Sequence, residues 1–156
     1  MFINILILPI VNETVLGYND IKSSPVYFHV QRNAVYSTVK TTIPYNVQRL
    51  NTGNAFNLNT GIFSAPKAGR YFFTLSGISQ TASTRVYLYV KSGVTQTDIA
   101  SSFSIDKLDT YALQSTLDLK AGDEVTSYLG EGSVGDGGYT NMHFTGLLLE
   151  QDLVLI

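Results

Sequence analysis

From Pro25 onward the chain is a series of short runs rich in Val, Ile, Tyr, Phe and Thr, broken by Gly, Asn and Asp; no stretch keeps helical apolar spacing over three turns. That pattern confines it to an all-β architecture. Val26, Phe28 and Val30 alternate with Tyr27, His29 and Gln31, the period-two signature of a strand. Ile62 and Phe63 precede a turn over 65–69, which leads into a strand over 71–76. Further strands are predicted over 85–91, 113–119, 125–129 and 139–149. Many short strands separated by turn residues favour a sandwich or barrel over alternating strands and helices.

Several of these strands are apolar on both faces. Tyr71 and Phe73 point one way and Phe72 the other; Val86, Leu88 and Val90 oppose Tyr87 and Tyr89; Leu147, Leu148 and Leu149 repeat the theme. A sandwich buries only the inner face of each sheet, so a second apolar face points to cover by another subunit. The competing reading leaves tyrosines half exposed with their hydroxyls in water. Only 14% of residues are charged, against about 25% in an average soluble domain, which favours the subunit interface.

A length of 156 residues fits one domain. A net charge of −2 lacks the basic footprint of a nucleic-acid binder. With no cysteine, disulfides, thiolate metal sites and cysteine nucleophiles are excluded. No apolar run reaches the roughly 18–20 residues of a membrane span. Residues 1–24 read either as a leader, a genuine or truncated signal peptide with small residues up to Gly17, or as an extra segment. No Lys or Arg precedes Lys22, and Asn12-Glu13-Thr14 forms a glycosylation sequon within this segment. The domain is expected over 25–150, followed by an apolar tail over 151–156.

Tyr45, Asn51, Phe56, Phe63, Gly69, Tyr71 and Phe73 stand at the spacing aromatic-x5-Asn-x4-aromatic-x6-Phe-x5-Gly-x-Tyr-x-Phe. This pattern closely resembles the signature of the C1q globular domain, a relative of the tumour necrosis factor fold. Tyr45 and Leu75 depart from the preferred aromatic types but keep apolar bulk. The segment 120–125 looks like the family's tight turn, and Phe144 and Gly146 like its closing strand. The resemblance runs from about Pro25 to Leu149. It implies a ten-stranded jelly-roll β-sandwich that assembles as a homotrimer, with both chain ends near the base, in a short member without a collagen stalk. It also implies an extracellular, secreted protein and no enzyme activity.

Other motifs carry less. Gly130-Glu131-Gly132-Ser133-Val134-Gly135 satisfies G-x-G-x-x-G, yet no helix is signalled after it, so it reads as a flexible hairpin loop. His29 and His143 lie far apart in sequence, each in a strand pattern, and read as structural histidines. Asp123 and Glu124 read as solvated turn charges. No cofactor is expected; some relatives bind calcium, but no calcium ligand set is legible. The loop from Gly130 to Gly138, with Glu131, Asp136 and Tyr139, is the expected ligand-binding surface, set against an ordinary variable hairpin. Three functions follow: a lectin-like or pattern-recognition module of innate immunity, binding carbohydrate or microbial surface molecules; a cytokine-like ligand for a cell-surface receptor; or a structural trimerisation unit.

Overall fold

The computed structural model describes residues 24–135 and 138–152, and no helix occurs among them. Eleven strands form: β1 (Tyr27–Arg32), β2 (Thr41–Thr42), β3 (Val47–Thr52), β4 (Phe56–Asn57), β5 (Ile62–Ser64), β6 (Gly69–Ile78), β7 (Thr84–Ser92), β8 (Thr95–Ser104), β9 (Thr110–Leu119), β10 (Glu124–Glu131) and β11 (Met142–Gln151). The eleven strands, one more than expected, include β2 and β4, two-residue pairings at sheet margins. One sheet has the order β3-β1-β11-β6-β9; the other runs β4-β5-β10-β7-β8, with β2 also pairing to β10. Every pairing between these strands is antiparallel. The two-sheet jelly roll expected from the resemblance is therefore the fold observed.

The inward positions of both sheets meet in an aromatic core. Phe28 lies at its centre, with ring centroids 4.5 Å from Phe56, 5.3 Å from Phe63, 5.0 Å from Phe144 and 6.3 Å from Phe73. Such pairs contribute roughly 0.5–1.5 kcal/mol each beyond the area they bury. Gly146 faces the same cluster; a Cβ there would come within 2.7 Å of the Phe73 ring and closer still to Phe28. The glycine thus makes room for two rings.

Each residue of the predicted pattern has a physical task. Tyr45, Phe56, Phe63, Tyr71, Phe73 and Phe144 are all buried in this core. Asn51 closes the connection from β3 to β4: its Nδ2 donates to the Phe56 carbonyl at 2.9 Å, and its Oδ1 accepts the Phe56 amide at 3.1 Å. Gly69 is buried against the Glu150 and Gln151 backbone, where a side chain would collide. Tyr45 and Ser127 share a buried hydroxyl–hydroxyl hydrogen bond of 2.7 Å across the sandwich. Desolvation pushes the Tyr45 phenol well above its ordinary pKa, so it stays neutral. Tyr45→Phe removes the partner of a buried Ser127 hydroxyl and is expected to cost about 1–2 kcal/mol, read as a lower urea midpoint at unchanged slope.

The described chain ends meet at one end of the sandwich. Lys67 Nζ donates to Ser24, and the Asp152 amide donates to the Ala68 carbonyl at 3.0 Å. The connections 33–40, 79–83 and 105–109, with 132–135 and 138–141, gather at the opposite end.

Candidate functional site

The loop end is rooted more firmly than its glycine content predicts. Val134 is fully buried and exchanges backbone hydrogen bonds with Tyr36 at 2.8 and 2.9 Å. The Gln80 amide donates to the Ser133 carbonyl at 2.8 Å, and the Gly135 amide to that of Ile78 at 3.0 Å. Thr81 Oγ1 accepts the Ser133 amide at 3.0 Å. Residues 132–135 therefore form a packed segment tied to both sheets, which corrects the expectation of a flexible hairpin. Gly132 takes a φ of +72°, and a side chain there would strike Thr81 and Thr84. No helix follows Gly135 among the described residues, so no amide cradle for a dinucleotide is built.

Beyond this root the chain opens to solvent. Glu131 is exposed at the end of β10, and Tyr139 is 74% exposed. Neither side chain makes a hydrogen bond or ion pair among the described residues. Tyr139 lies outside β11, which starts at Met142, so the predicted strand over 139–149 begins three residues late. Asp136 lies outside the described residues. Among the described residues no group of three or more His, Cys, Asp or Glu stands together.

Asp123 and Glu124 also differ from expectation. Asp123 is only 8% exposed; its Oδ2 accepts the Lys120 amide at 2.9 Å, closing the turn between β9 and β10. Glu124 meets Lys91 at 3.3 Å on the outward face.

The outward face of the β3-β1-β11-β6-β9 sheet carries Tyr27, His29, Leu50, Phe72 and Leu147. A shallow, apolar-lined cleft of about 380 Å³ opens there beside Pro25, Tyr27, His29, Leu50, Thr145 and Leu147. Leu148 instead faces the core, and Leu149 is exposed next to a bulge. From Phe72 to Ser76 on β6, and across the facing positions of β1 and β11, the outward residues bear no carboxylate or lysine. The outward face of the other sheet differs. Tyr87 and Tyr89 lie parallel at 5.3 Å, and Tyr128 meets them edge-on at 6.3 and 5.0 Å. Arg85 stacks over Phe103 at 4.8 Å. These tyrosines pack against one another within the subunit.

Sequence reading missed one pair. His29 Nε2 and His143 Nδ1 lie 3.0 Å apart on the outward face of the first sheet. Their ring centroids are 5.2 Å apart and their planes differ by 15°. That separation is near the largest a 3.0 Å N···N contact between two such rings allows, so the rings meet edge to edge in almost one plane. Each nitrogen then points at the other, and one must donate while the other accepts. Gln31 Nε2 donates to the Thr140 carbonyl at 2.7 Å and lies 3.3 Å from both His143 nitrogens. Arg49 Nε donates to Gln31 Oε1 at 2.5 Å. Burial, then His143, then Arg49 lower the His29 pKa below the ordinary imidazole value. The signal was available: both histidines occupy outward positions of strands that the closing β1–β11 pairing brings side by side.

Two antiparallel sheets in this strand order, with a loop segment packed at one end, define a jelly-roll β-sandwich domain. The family profile of the C1q domain matches residues 27–149, and the chain belongs to that family. It is 33% identical over 115 residues to complement C1q tumor necrosis factor-related protein 3 of Mus musculus and of Homo sapiens, covering 73% of this chain and 47% of each relative. The chain thus spans about half the length of these curated relatives. The globular domain of zebrafish complement 1qA superposes with a TM-score of 0.68 at 19% identity, over 81% of this chain and 99% of that one. Murine APRIL does so with a TM-score of 0.66 at 10% identity, over 80% and 99%. Both likenesses concern the fold.

Proposed function

We propose that the chain is a secreted, trimeric recognition module that contacts its ligand at the loop end, through Tyr139 and Glu131. The exposed Tyr139 ring, four residues along the chain from a segment tied to both sheets, carries this reading. An exposed aromatic face can stack on a sugar ring while its hydroxyl hydrogen-bonds. Carbohydrate and microbial surface molecules are the target class, in keeping with innate pattern recognition. The outward face of the β3-β1-β11-β6-β9 sheet, free of carboxylates from His143 to Leu147 on β11 and at the facing positions of β1 and β6, is the surface that meets neighbouring copies. Purified protein applied to a glycan and bacterial-polysaccharide array is expected to bind a restricted set. Tyr139→Ala is expected to weaken that binding at least about tenfold with oligomer size unchanged; Glu131→Gln tests the charge. Binding to nothing on the array would sink the lectin-like reading, and binding indifferent to Tyr139 would move the site. Sizing with and without chelator reports whether a metal such as calcium, shared between copies, takes part.

The likeness to complement C1q tumor necrosis factor-related protein 3 favours a second reading: a ligand for a cell-surface receptor along grooves between copies. Capture of a receptor that survives Tyr139→Ala but is lost on changes at the subunit edges would select it.

A further inference from the structure

We infer that His29 and His143 form a proton-sharing pair that makes self-association through the outward face of the β3-β1-β11-β6-β9 sheet acid-labile. This rests on the trimer reading above. The edge-to-edge contact needs one N–H and one lone pair facing each other at 3.0 Å. It survives with both rings neutral, and it survives one added proton, because an imidazolium still donates. It does not survive two: both nitrogens then carry hydrogens, and two like charges face each other. The contact therefore couples the two rings, and a second proton on the pair breaks it.

Among the described residues, no carboxylate faces the pair to offset the second charge. On β1 the same face carries Tyr27 and the neutral Gln31; on β3 it carries Arg49, which is already cationic. Ser76 and Thr74 of β6 flank β11 beside His143 and Thr145 and bear no charge. The flanking apolar cleft includes His29 in its lining, so charge and ring rotation arise at the edge of the surface a neighbouring copy covers. Acid thus adds desolvation cost and repulsion where the assembled state can least solvate them.

The sign follows from linkage. A histidine whose folded pKa is lowered binds fewer protons folded than unfolded, so stability is full above the ordinary imidazole range. It falls as pH drops through that range toward the lowered folded value. Assembly adds burial in the same direction. Light scattering and sedimentation of the intact chain at about pH 7.5 and about pH 5 are the test. The oligomer is expected at the higher pH, with a dissociation constant at least about tenfold larger at the lower. The double variant His29→Gln/His143→Gln should hold its oligomer at both. Circular dichroism checks its folding, and imidazole NMR of the unaltered protein should show the two rings titrating as a coupled pair. A monomer at about pH 7.5 overturns the trimer reading and this proposal with it. An oligomer equally tight at both values, or two histidines titrating independently, overturns the switch alone.

Discussion

Phe28→Ala is expected to destabilise the fold by about 3–5 kcal/mol, the range for removing a fully enclosed phenylalanine. Phe28 is the ring on which Phe56, Phe63, Phe73 and Phe144 converge, from both sheets, so its loss leaves a void that no single neighbour can fill. Since domains of this size are stable by only about 5–15 kcal/mol, the variant should be marginal at room temperature. Urea unfolding at fixed protein concentration measures the effect without mixing in assembly. The adjoining Gly146 supplies an internal control. Gly146→Ala presses a methyl into the Phe28 and Phe73 rings and should cost about 1–3 kcal/mol in the unaltered protein. In the Phe28→Ala background the cavity accepts that methyl, so the two costs should fail to add. A Phe28→Ala loss below about 1 kcal/mol would contradict the packing described.

The second large effect is a backbone one. Gly61→Ala should lower stability by about 3 kcal/mol or more, from left-handed strain plus a collision. Gly61 has a φ of +72°, and a Cβ there would lie 2.9 Å from the Ile43 carbonyl carbon and nearer to its oxygen. Ile43 cannot retreat, because its amide donates to the Ser127 carbonyl at 2.9 Å and its side chain is buried. The turn before Gly61 is equally constrained: Asn57 Oδ1 accepts the amides of Asn59 and Thr60 at 3.1 and 3.2 Å. Gly93 has a similar φ of +59° with nothing within 4 Å, so Gly93→Ala bears the strain alone. Melting temperatures should therefore separate the two variants by several degrees, Gly61→Ala being the lower. Equal losses would mean the close approach at Ile43 has no energetic weight.

Strands buried on one face were legible because burial writes period two into them; β1, β6, β7, β9 and β10 fall where Phe28, Tyr71, Leu88, Leu113 and Val125 predict. Two edge strands were not. In β8, from Thr95 to Ser104, and β3, from Val47 to Thr52, no hydrophobic side chain is buried, so the hydrophobic alternation that marks a strand is missing. Tyr139 extended a predicted strand too far because an aromatic in an exposed loop looks like one in a sheet. Asp123 looked like a solvated turn charge because sequence does not show which carboxylate folds back onto the backbone. The histidine pair was hidden by distance along the chain: only the β1–β11 pairing makes positions 29 and 143 neighbours.

That pairing also governs how the domain bears load. β1 and β11 lie side by side and antiparallel, with Tyr27 opposite Leu147 and Arg32 opposite Met142, and both described ends leave from the same end of the sandwich. Tension applied between the ends would thus peel the two strands apart one rung after another, rather than loading all rungs in parallel. A domain built this way is mechanically soft to a pull between its described ends. Pulling at the loop end, across the Val134 bonds to Tyr36 and the Gly135 bond to Ile78, meets several rungs at once.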